Sequence, residues 1–151
     1  MLELKVPPPI VTLIIAVTMW AVASITPAFK MGMPPRIAAA LVLSLLGGMF
    51  ALAGAISFRR ARTTVNPLKP EKTSALVSSG LYRVTRNPMY VGLLFVLIGW
   101  AVFLVAPVTL VGPVGFVAYM NRFQIEPEEL VLSQLFGNDY SEYKSRVRRW
   151  F

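Results

Sequence analysis

The residues best suited to chemistry stand where a polar stretch meets an apolar run. This segment, residues 85–90, reads TRNPMY. Asn is favoured just before a helix and Pro at its first position, so Asn87-Pro88 is typical of a plain helix start. The unpaired backbone amides of a helix start also attract anions. The segment therefore predicts either an ordinary helix cap or an anion site that faces the polar stretch.

Two further features could contact the rest of a ligand. Residues 76–82, LVSSGLY, predict a turn that places Tyr82 just before that helix. Tyr82 is either an aromatic anchor at a bilayer interface or a wall against which a planar ring packs. Glu128 and Glu129 follow Pro127, where carboxylates suit the first turn of a helix. If they lie near Asn87, one of them could instead pair with a cationic group of a ligand.

The composition excludes several kinds of site. The chain contains no cysteine and no histidine, which removes zinc and haem ligands, disulfides, thiol nucleophiles and imidazole bases. Proton transfer must then use Glu, Asp, Lys, Tyr or water, and Glu129 and Tyr90 are the candidate catalytic residues. The net charge is +8. Because the basic residues flank apolar runs, this charge indicates membrane lipids as partners, and we expect neither nucleic acid nor metal.

Four apolar runs must position these residues. Hydrophobic residues make up 56% of the chain, and they are concentrated in long uncharged stretches. About 20 such residues cross the hydrocarbon core of a bilayer as a helix. The predicted transmembrane helices are residues 9–29, 36–58, 88–105 and 107–124.

Proline and glycine positions refine this prediction. The uncharged stretch from Pro88 to Met120 is too long for one crossing, so we place a hairpin at Ala106-Pro107. Gly112-Pro113 predicts a kink in the fourth helix. Three glycines of the second helix predict close packing on a neighbour. They are Gly47, Gly48 and Gly54.

The basic residues predict the orientation. All of them except Lys30 and Arg36 fall on one side of the four-helix arrangement, and basic residues favour the cytoplasmic side. The prediction is an all-α integral membrane protein with four transmembrane helices, a cytoplasmic loop over residues 59–86 and amphipathic C-terminal helices. Both termini are expected in the cytoplasm, in the inner membrane of a prokaryotic cell, with the first run retained as a span rather than cleaved.

The residues after the fourth run carry an apolar stripe at helical spacing, interrupted by Gly137-Asn138. We expect this segment to lie along the membrane interface or under the bundle, with its basic side chains reaching toward the headgroups. No chemistry is needed to explain it. The stripe consists of Leu132, Phe136, Tyr140, Tyr143 and Val147.

The motifs of residues 66–149 are more specific together than any one alone. They are Leu76-Val77, Ser79-Gly80-Leu81-Tyr82, Arg86-Asn87-Pro88, Tyr90 and Gly92, Glu128-Glu129 and Leu132, and Phe136-Gly137, Tyr140, Tyr143 and Val147. This combination resembles the isoprenylcysteine carboxyl methyltransferase and phospholipid methyltransferase family of integral membrane enzymes. The first two spans add only hydrophobicity to the resemblance.

The resemblance implies S-adenosyl-L-methionine as the cofactor and methyl transfer to a lipophilic, membrane-borne acceptor at the cytoplasmic face. Glu128 would take a cationic group of this donor, the amides at the helix start its carboxylate, and Tyr82 its adenine ring. In-line displacement depends mainly on alignment, so a chain without His or Cys can perform it. The cofactor-binding residues implied by the resemblance are Ser74, Ala75, Leu76, Val77, Tyr82, Asn87, Pro88, Met89, Tyr90 and Glu128.

Two positions depart from the family pattern. Asn87 stands where the family commonly has His, and Gln124 stands where the prenylcysteine enzymes have an Arg that holds the substrate carboxylate. Residues 124 and 128 share a helix face, whereas Arg122 points elsewhere. Gln124, Asn121 and Arg86 are the candidate substrate-binding residues. The acceptor predicted from them is a neutral or amine-bearing lipophile rather than a free carboxylate.

Other functions stay open at this point. A membrane scaffold or assembly protein could keep the fold without turnover, and a prenylcysteine carboxyl methyltransferase proper is a further alternative. A transporter or channel subunit is disfavoured because no charged residue lies in the middle of a predicted span, and Arg36 and Arg122 stand near span ends. The sequence does not identify the acceptor atom or the oligomeric state.

Overall fold

The computed structural model describes residues 3–61 and 70–151, and this part of the chain is helical, without a β-strand. Its α-helices are α1 (Pro8–Ala23), α2 (Met33–Arg60), α3 (Pro88–Leu104), α4 (Val111–Met120) and α5 (Glu126–Arg146). α1, α2 and α3 each carry proline in the first turn, where the missing N–H costs no helical hydrogen bond.

Shorter elements connect these helices. Single 3₁₀ turns cover Pro70–Lys72, Gly80–Arg83 and Pro107–Leu110. A π-helical turn, Asn121–Ile125, joins α4 directly to α5. Part of the predicted cytoplasmic loop, residues 62–69, lies outside the described residues.

The first four helices run alternately up and down. At one end, the Phe29 amide donates to the Val105 carbonyl (2.8 Å). At the other end, the Leu4 amide donates to the Phe123 carbonyl (3.0 Å). We call this second end, formed by the starts of α1 and α3 and the end of α2, the polar end. The segment before α3 and all of α5 also lie there, as the predicted topology requires.

α2 and α3 form the most extensive contact of the bundle, and glycines allow their backbones to approach. A Cβ added at Gly47 would clash with the Gly92 carbonyl oxygen, and a Cβ added at Gly54 would lie 2.8 Å from Met89 Cγ. The predicted close packing is therefore confirmed at Gly47 and Gly54. It is wrong for Gly48, around which an added Cβ would meet nothing within 4 Å.

The predicted spans match the helices unequally. α3 ends within one residue of its predicted bound, but α1 ends at Ala23 instead of residue 29. Hydropathy cannot detect this early end, because Thr26-Pro27 is what prevents the helix from continuing. The Thr26 hydroxyl donates back to the Val22 carbonyl (2.9 Å) and helps to close the terminus.

The predicted fourth span differs most. Residues 107–124 form a 3₁₀ turn, the ten residues of α4 and most of the π turn rather than one helix. The predicted kink at Gly112-Pro113 is wrong, because Pro113 lies in the first turn of α4, where it removes no helical hydrogen bond. The irregular geometry lies instead at Asn121–Ile125, and the helix continues through it into α5.

α2 alone among the described helices is long and apolar enough to cross a bilayer. α1 and α3 are apolar but shorter, with 16 and 17 residues. The all-helical fold is thus confirmed, while the four-span topology stays a prediction.

The apolar stripe of α5 packs inward on the polar end. Tyr140, Tyr143 and Val147 form a buried cluster with Val77 and Tyr82. Gly137 has φ +49° and interrupts the helix, as its position before Asn138 predicted. The segment therefore occupies the second of the two predicted positions, under the bundle.

Candidate functional site

A cleft opens at the polar end between the segment before α3 and α5. It holds about 770 Å³ of empty space, counting its open mouth. Most of the candidate residues line it. These are Ala75, Leu76, Val77, Tyr82, Arg86, Asn87, Met89, Tyr90, Glu128 and Glu129.

Glu128 projects into this cleft with neutral partners. The Tyr90 hydroxyl donates to its Oε1 (2.8 Å), and Gln124 Nε2 donates to the same oxygen (3.2 Å). Burial raises the pKa of Glu128 to about 7, although both hydrogen bonds oppose the rise. Within the described residues, no Lys or Arg nitrogen lies within 4 Å of this carboxylate. Its charge is therefore uncompensated.

Glu129, the next residue, has the opposite surroundings. Arg149 binds it with two hydrogen bonds, Nε to Oε1 (3.1 Å) and Nη2 to Oε2 (2.9 Å), and Arg86 Nη2 donates to Oε1 (2.9 Å). Lys144 Nζ lies 3.6 Å from Oε2. Burial raises the pKa of Glu129, but the Arg149 hydrogen bond and the nearby cations outweigh it and lower the net value. A carboxylate held in this way is a poor proton acceptor, which argues against the catalytic role expected for Glu129.

Arg86 also lines the cleft, and it has a donor without an acceptor. Its Nη2 binds Glu129, and its Nη1 donates to the Lys144 carbonyl (3.2 Å). Its Nε is buried and has no hydrogen-bond partner among the described residues. A buried unpaired donor costs free energy, so a ligand acceptor at this position would be favoured.

The start of α3 does not present the row of unpaired amides that the sequence predicted. The Asn87 amide donates to Thr85 Oγ1 (3.2 Å), and the Tyr90 amide donates to the Asn87 carbonyl (3.0 Å). Pro88 has no N–H, so among residues 87–90 only the Met89 amide is left to bind an anion. The Asn87 side chain also does not cap the helix, because its Nδ2 donates to the Arg149 carbonyl (2.9 Å).

Tyr82 forms one wall of the cleft. It is buried, its ring meets Phe58 edge-on with centroids 5.5 Å apart, and its carbonyl accepts the Tyr143 hydroxyl (2.8 Å). A buried ring does not fit the alternative of an interface anchor. Together with Leu76 and Val77 it gives the cleft an apolar side.

Four candidate residues do not line the cleft. Gln124 donates a hydrogen bond to Glu128, and Asn121 Oδ1 accepts one from Trp150 Nε1 (2.9 Å). Pro88 is buried at the start of α3, and Ser74 precedes the lining residue Ala75.

Sequence reasoning missed several residues of the site, among them two tyrosines and an arginine. Tyr140 and Tyr143 line the cleft, and Arg149 holds Glu129. The apolar stripe of α5 could have indicated the two tyrosines, since an apolar face of a helix has to pack against another part of the protein. Nothing local marks Arg149, whose contacts are formed across the fold.

Residues 35–139 match the sequence profile of the phospholipid methyltransferase family. The chain belongs to this family. The chain is also similar to protein-S-isoprenylcysteine O-methyltransferase A of Arabidopsis thaliana, with which it is 34% identical over 110 residues. That match covers 71% of this chain and 54% of the plant protein, so the chain spans about half the length of this relative.

Two further proteins are similar over shorter stretches of the chain. The human protein-S-isoprenylcysteine O-methyltransferase is 41% identical over 75 residues, or 50% of this chain and 26% of the human protein. An uncharacterized protein of Haemophilus influenzae is 40% identical over 62 residues, which are 41% of this chain and 98% of that protein. The family membership and the sequence resemblance agree.

Proposed function

We propose that this protein is a membrane-embedded methyltransferase that uses S-adenosyl-L-methionine and methylates a lipophilic acceptor at the cytoplasmic face. The observation that carries the proposal is the uncompensated carboxylate of Glu128 in the cleft. Burying a carboxylate without a cationic partner is costly, so the site favours a ligand that brings a positive charge. The names of the isoprenylcysteine methyltransferase relatives agree with this activity.

The surface of the helices supports a bilayer setting. Large apolar side chains point away from the bundle on α1 and α2, and soluble proteins rarely expose such continuous surfaces. Lys30 and Arg36 lie at the end opposite to the cleft, which agrees with the predicted orientation. The outward-facing side chains include Leu13, Val17, Trp20, Leu45, Met49 and Leu52.

The polar groups of the cleft fit the amino-acid part of the donor. This part carries an ammonium and a carboxylate, and the cleft is lined by the Glu128 carboxylate and the Arg86 guanidinium. The apolar wall of Leu76, Val77 and Tyr82 suits a flat ring. We therefore assign the donor carboxylate to Arg86 rather than to the amides at the start of α3.

Methyl transfer needs little acid–base chemistry from the chain. The donor, when bound, supplies a methyl group on a positively charged sulfur, which makes the methyl reactive toward a nucleophile. The residues of the cleft then act by alignment and by excluding water. The Tyr90 hydroxyl, which donates to Glu128, is the group of the cleft that can relay a proton released by an acceptor. Tyr90 thus keeps its proposed catalytic role, while Glu129 does not.

The acceptor we propose is a neutral or amine-bearing lipophile. A free carboxylate would need a cation at residue 124, but Gln124 donates its amide hydrogen to Glu128. A second carboxylate beside Glu128 would add repulsion to the cost of desolvation. We expect the protein to methylate an acetylated farnesylcysteine probe poorly.

The test is methyl transfer by the purified protein in detergent. Radiolabelled S-adenosyl-L-methionine is incubated with a total lipid extract, with the amine-lipid fraction and with the farnesylcysteine probe, and labelled products are identified. We expect label in the lipid extract and little in the probe. Efficient labelling of the probe would restore the prenylcysteine function. Donor binding without transfer to any of the three would favour the scaffold alternative, for which the departures at Asn87 and Gln124 are the motivation.

A further inference from the structure

The segment that follows α5 is bound across the start of α3. Arg148 pairs in parallel with Thr85, and the Arg86 amide donates to the Arg148 carbonyl (2.9 Å). The next carbonyl, that of Arg149, accepts from Thr85 Oγ1 (3.1 Å) and from Asn87 Nδ2 (2.9 Å). Two consecutive carbonyls of this segment therefore fix the three residues that lead into α3.

The Arg149 side chain reaches the other wall of the cleft. Its guanidinium binds both oxygens of Glu129 in a fork (3.1 and 2.9 Å), in the first turn of α5. Such paired hydrogen bonds define orientation as well as distance. Glu129 is buried, and Arg86 binds the same carboxylate from the α3 side.

These contacts meet at one residue. Through its carbonyl Arg149 holds the start of α3, and through its guanidinium it holds the start of α5. The two ligand-facing groups of the cleft, Arg86 and Glu128, stand on these two elements. Their separation therefore depends on Arg149 together with the direct Arg86–Glu129 contact, although Arg149 does not itself line the cleft.

We infer that Arg149 is a positioning residue that sets the distance between the Arg86 and Glu128 groups of the cleft. This inference rests on the proposed function, since those two groups are the ones assigned to the amino-acid part of the donor. If Arg86 or Glu128 moves, the amino-acid part of the donor can no longer reach both groups, because the distance between its ammonium and its carboxylate is fixed. Its contacts with both groups then weaken together. Arg149 thus acts on donor affinity and not on the acceptor.

The chain provides a matched control. The Arg148 side chain is exposed and makes no hydrogen bond or ion pair within the described residues, and its contacts with Thr85 and Arg86 are made by the backbone. Arg148→Ala therefore removes the same charge from the neighbouring position without breaking these contacts. Arg149→Lys keeps a charge near Glu129 but cannot form the fork. Arg149→Lys is also the variant to measure if Arg149→Ala fails to fold.

Hydrogen exchange of the full-length protein in detergent tests the contact without any ligand. We expect exchange in residues 85–91 and 126–131 to be at least about tenfold faster in Arg149→Ala, intermediate in Arg149→Lys and unchanged in Arg148→Ala. Wild-type exchange in both Arg149 variants would overturn the inference.

Donor affinity, measured by calorimetry with S-adenosyl-L-methionine well below the unfolding temperature, tests the consequence. We expect a Kd at least about tenfold higher in Arg149→Ala and within twofold of wild type in Arg148→Ala, with the KM for the acceptor unchanged. Faster exchange combined with wild-type affinity would show a merely structural role and overturn the inference. If the wild type bound no donor, the proposed function would fail, and exchange alone would decide whether Arg149 holds the two walls.

Discussion

The Tyr90 hydroxyl donates a 2.8 Å hydrogen bond to Oε1 of Glu128, and this bond joins the first turn of α3 to the first turn of α5. Gln124 donates to the same oxygen, so the accepting atom is fixed from two sides. A carboxylate oriented in this way loses little entropy when a cationic group binds to it. The same bonds leave Glu128 without a compensating charge, and the predictions on this residue follow from that combination.

Glu128→Gln should weaken donor binding strongly. The amide keeps the size of the side chain and can still accept from the Tyr90 hydroxyl, so the fold is expected to survive. Loss of a charge-assisted contact costs about 1.5–3 kcal/mol, or roughly 10- to 150-fold in Kd. Calorimetry with S-adenosyl-L-methionine measures the change. Glu142→Gln, an exposed glutamate of the same helix, is the control; equal affinity in the two variants would contradict the assignment.

The stability of the ligand-free protein should depend on pH through Glu128. Its pKa is raised from 4.5 to about 7, so between these values the folded protein binds a proton that the unfolded chain has lost. The free energy of unfolding therefore falls as pH rises through this window, by on the order of 3 kcal/mol from this group. Glu129, with its lowered pKa, acts in the opposite direction below about pH 4.5.

Thermal unfolding of wild type and Glu128→Gln across this pH range separates these contributions. The variant should gain stability relative to wild type as pH rises. A difference between the two proteins that stays constant with pH would mean that Glu128 titrates normally.

Gln124→Arg should lower donor affinity. An Arg at this position lies one turn before Glu128 and would supply the cation that the carboxylate lacks, in competition with the ligand. We expect roughly a tenfold higher Kd, about 1.4 kcal/mol. Gln134→Arg, on an exposed part of α5, adds the same charge without this contact. If both variants bound the donor like wild type, Gln124 would have no part in orienting Glu128.

Gly47→Ala should destabilise the bundle, whereas Gly48→Ala should not. A Cβ at Gly47 would meet the Gly92 carbonyl on α3, while a Cβ at Gly48 would meet no atom within 4 Å. Overpacking typically costs about 1–3 kcal/mol. At Gly48 the better helix propensity of Ala could add up to about 1 kcal/mol. Thermal unfolding in detergent compares the two; a similar loss in both would show that α2 does not approach α3 through Gly47.

The orientation can be tested because the chain contains no cysteine. Met31→Cys and Ser145→Cys place single thiols at opposite ends of the bundle. In intact cells a membrane-impermeant maleimide should label the first and not the second. Labelling of residue 145 alone would reverse the orientation and would place the cleft on the side that lacks the cytosolic donor.

Sequence predicted the parts of the fold that depend on local signals. α3 was placed within one residue because Pro88 opens a long apolar run, and the interruption at Gly137 was predicted because Gly and Asn favour positive φ. The end of α1 was missed because its run stays apolar beyond the point where Thr26-Pro27 stops the helix.

The candidate site was predicted in its members but not in its pairings. Glu128 and Glu129 look alike in sequence, but Glu129 is paired with cations that lie far from it in the chain, Arg149 and Arg86, and within the described residues Glu128 is not. The expected anion site at the start of α3 failed for a related reason. Thr85 Oγ1 accepts a hydrogen bond from the Asn87 amide, and the residue pattern at the helix start does not reveal this contact.

The π turn of Asn121–Ile125 has a consequence for how this chain can vary in length. A π turn accommodates one residue more than an α turn, and each residue of a helix rotates the following side chains by about 100°. Deleting one residue within the turn would restore regular winding and leave Glu128 on nearly the same face, whereas deleting one residue after the turn would swing Glu128 off the face that meets Tyr90. A single-residue deletion should therefore be tolerated within Asn121–Ile125 but not between this turn and the acidic pair, even where hydrophobicity is preserved.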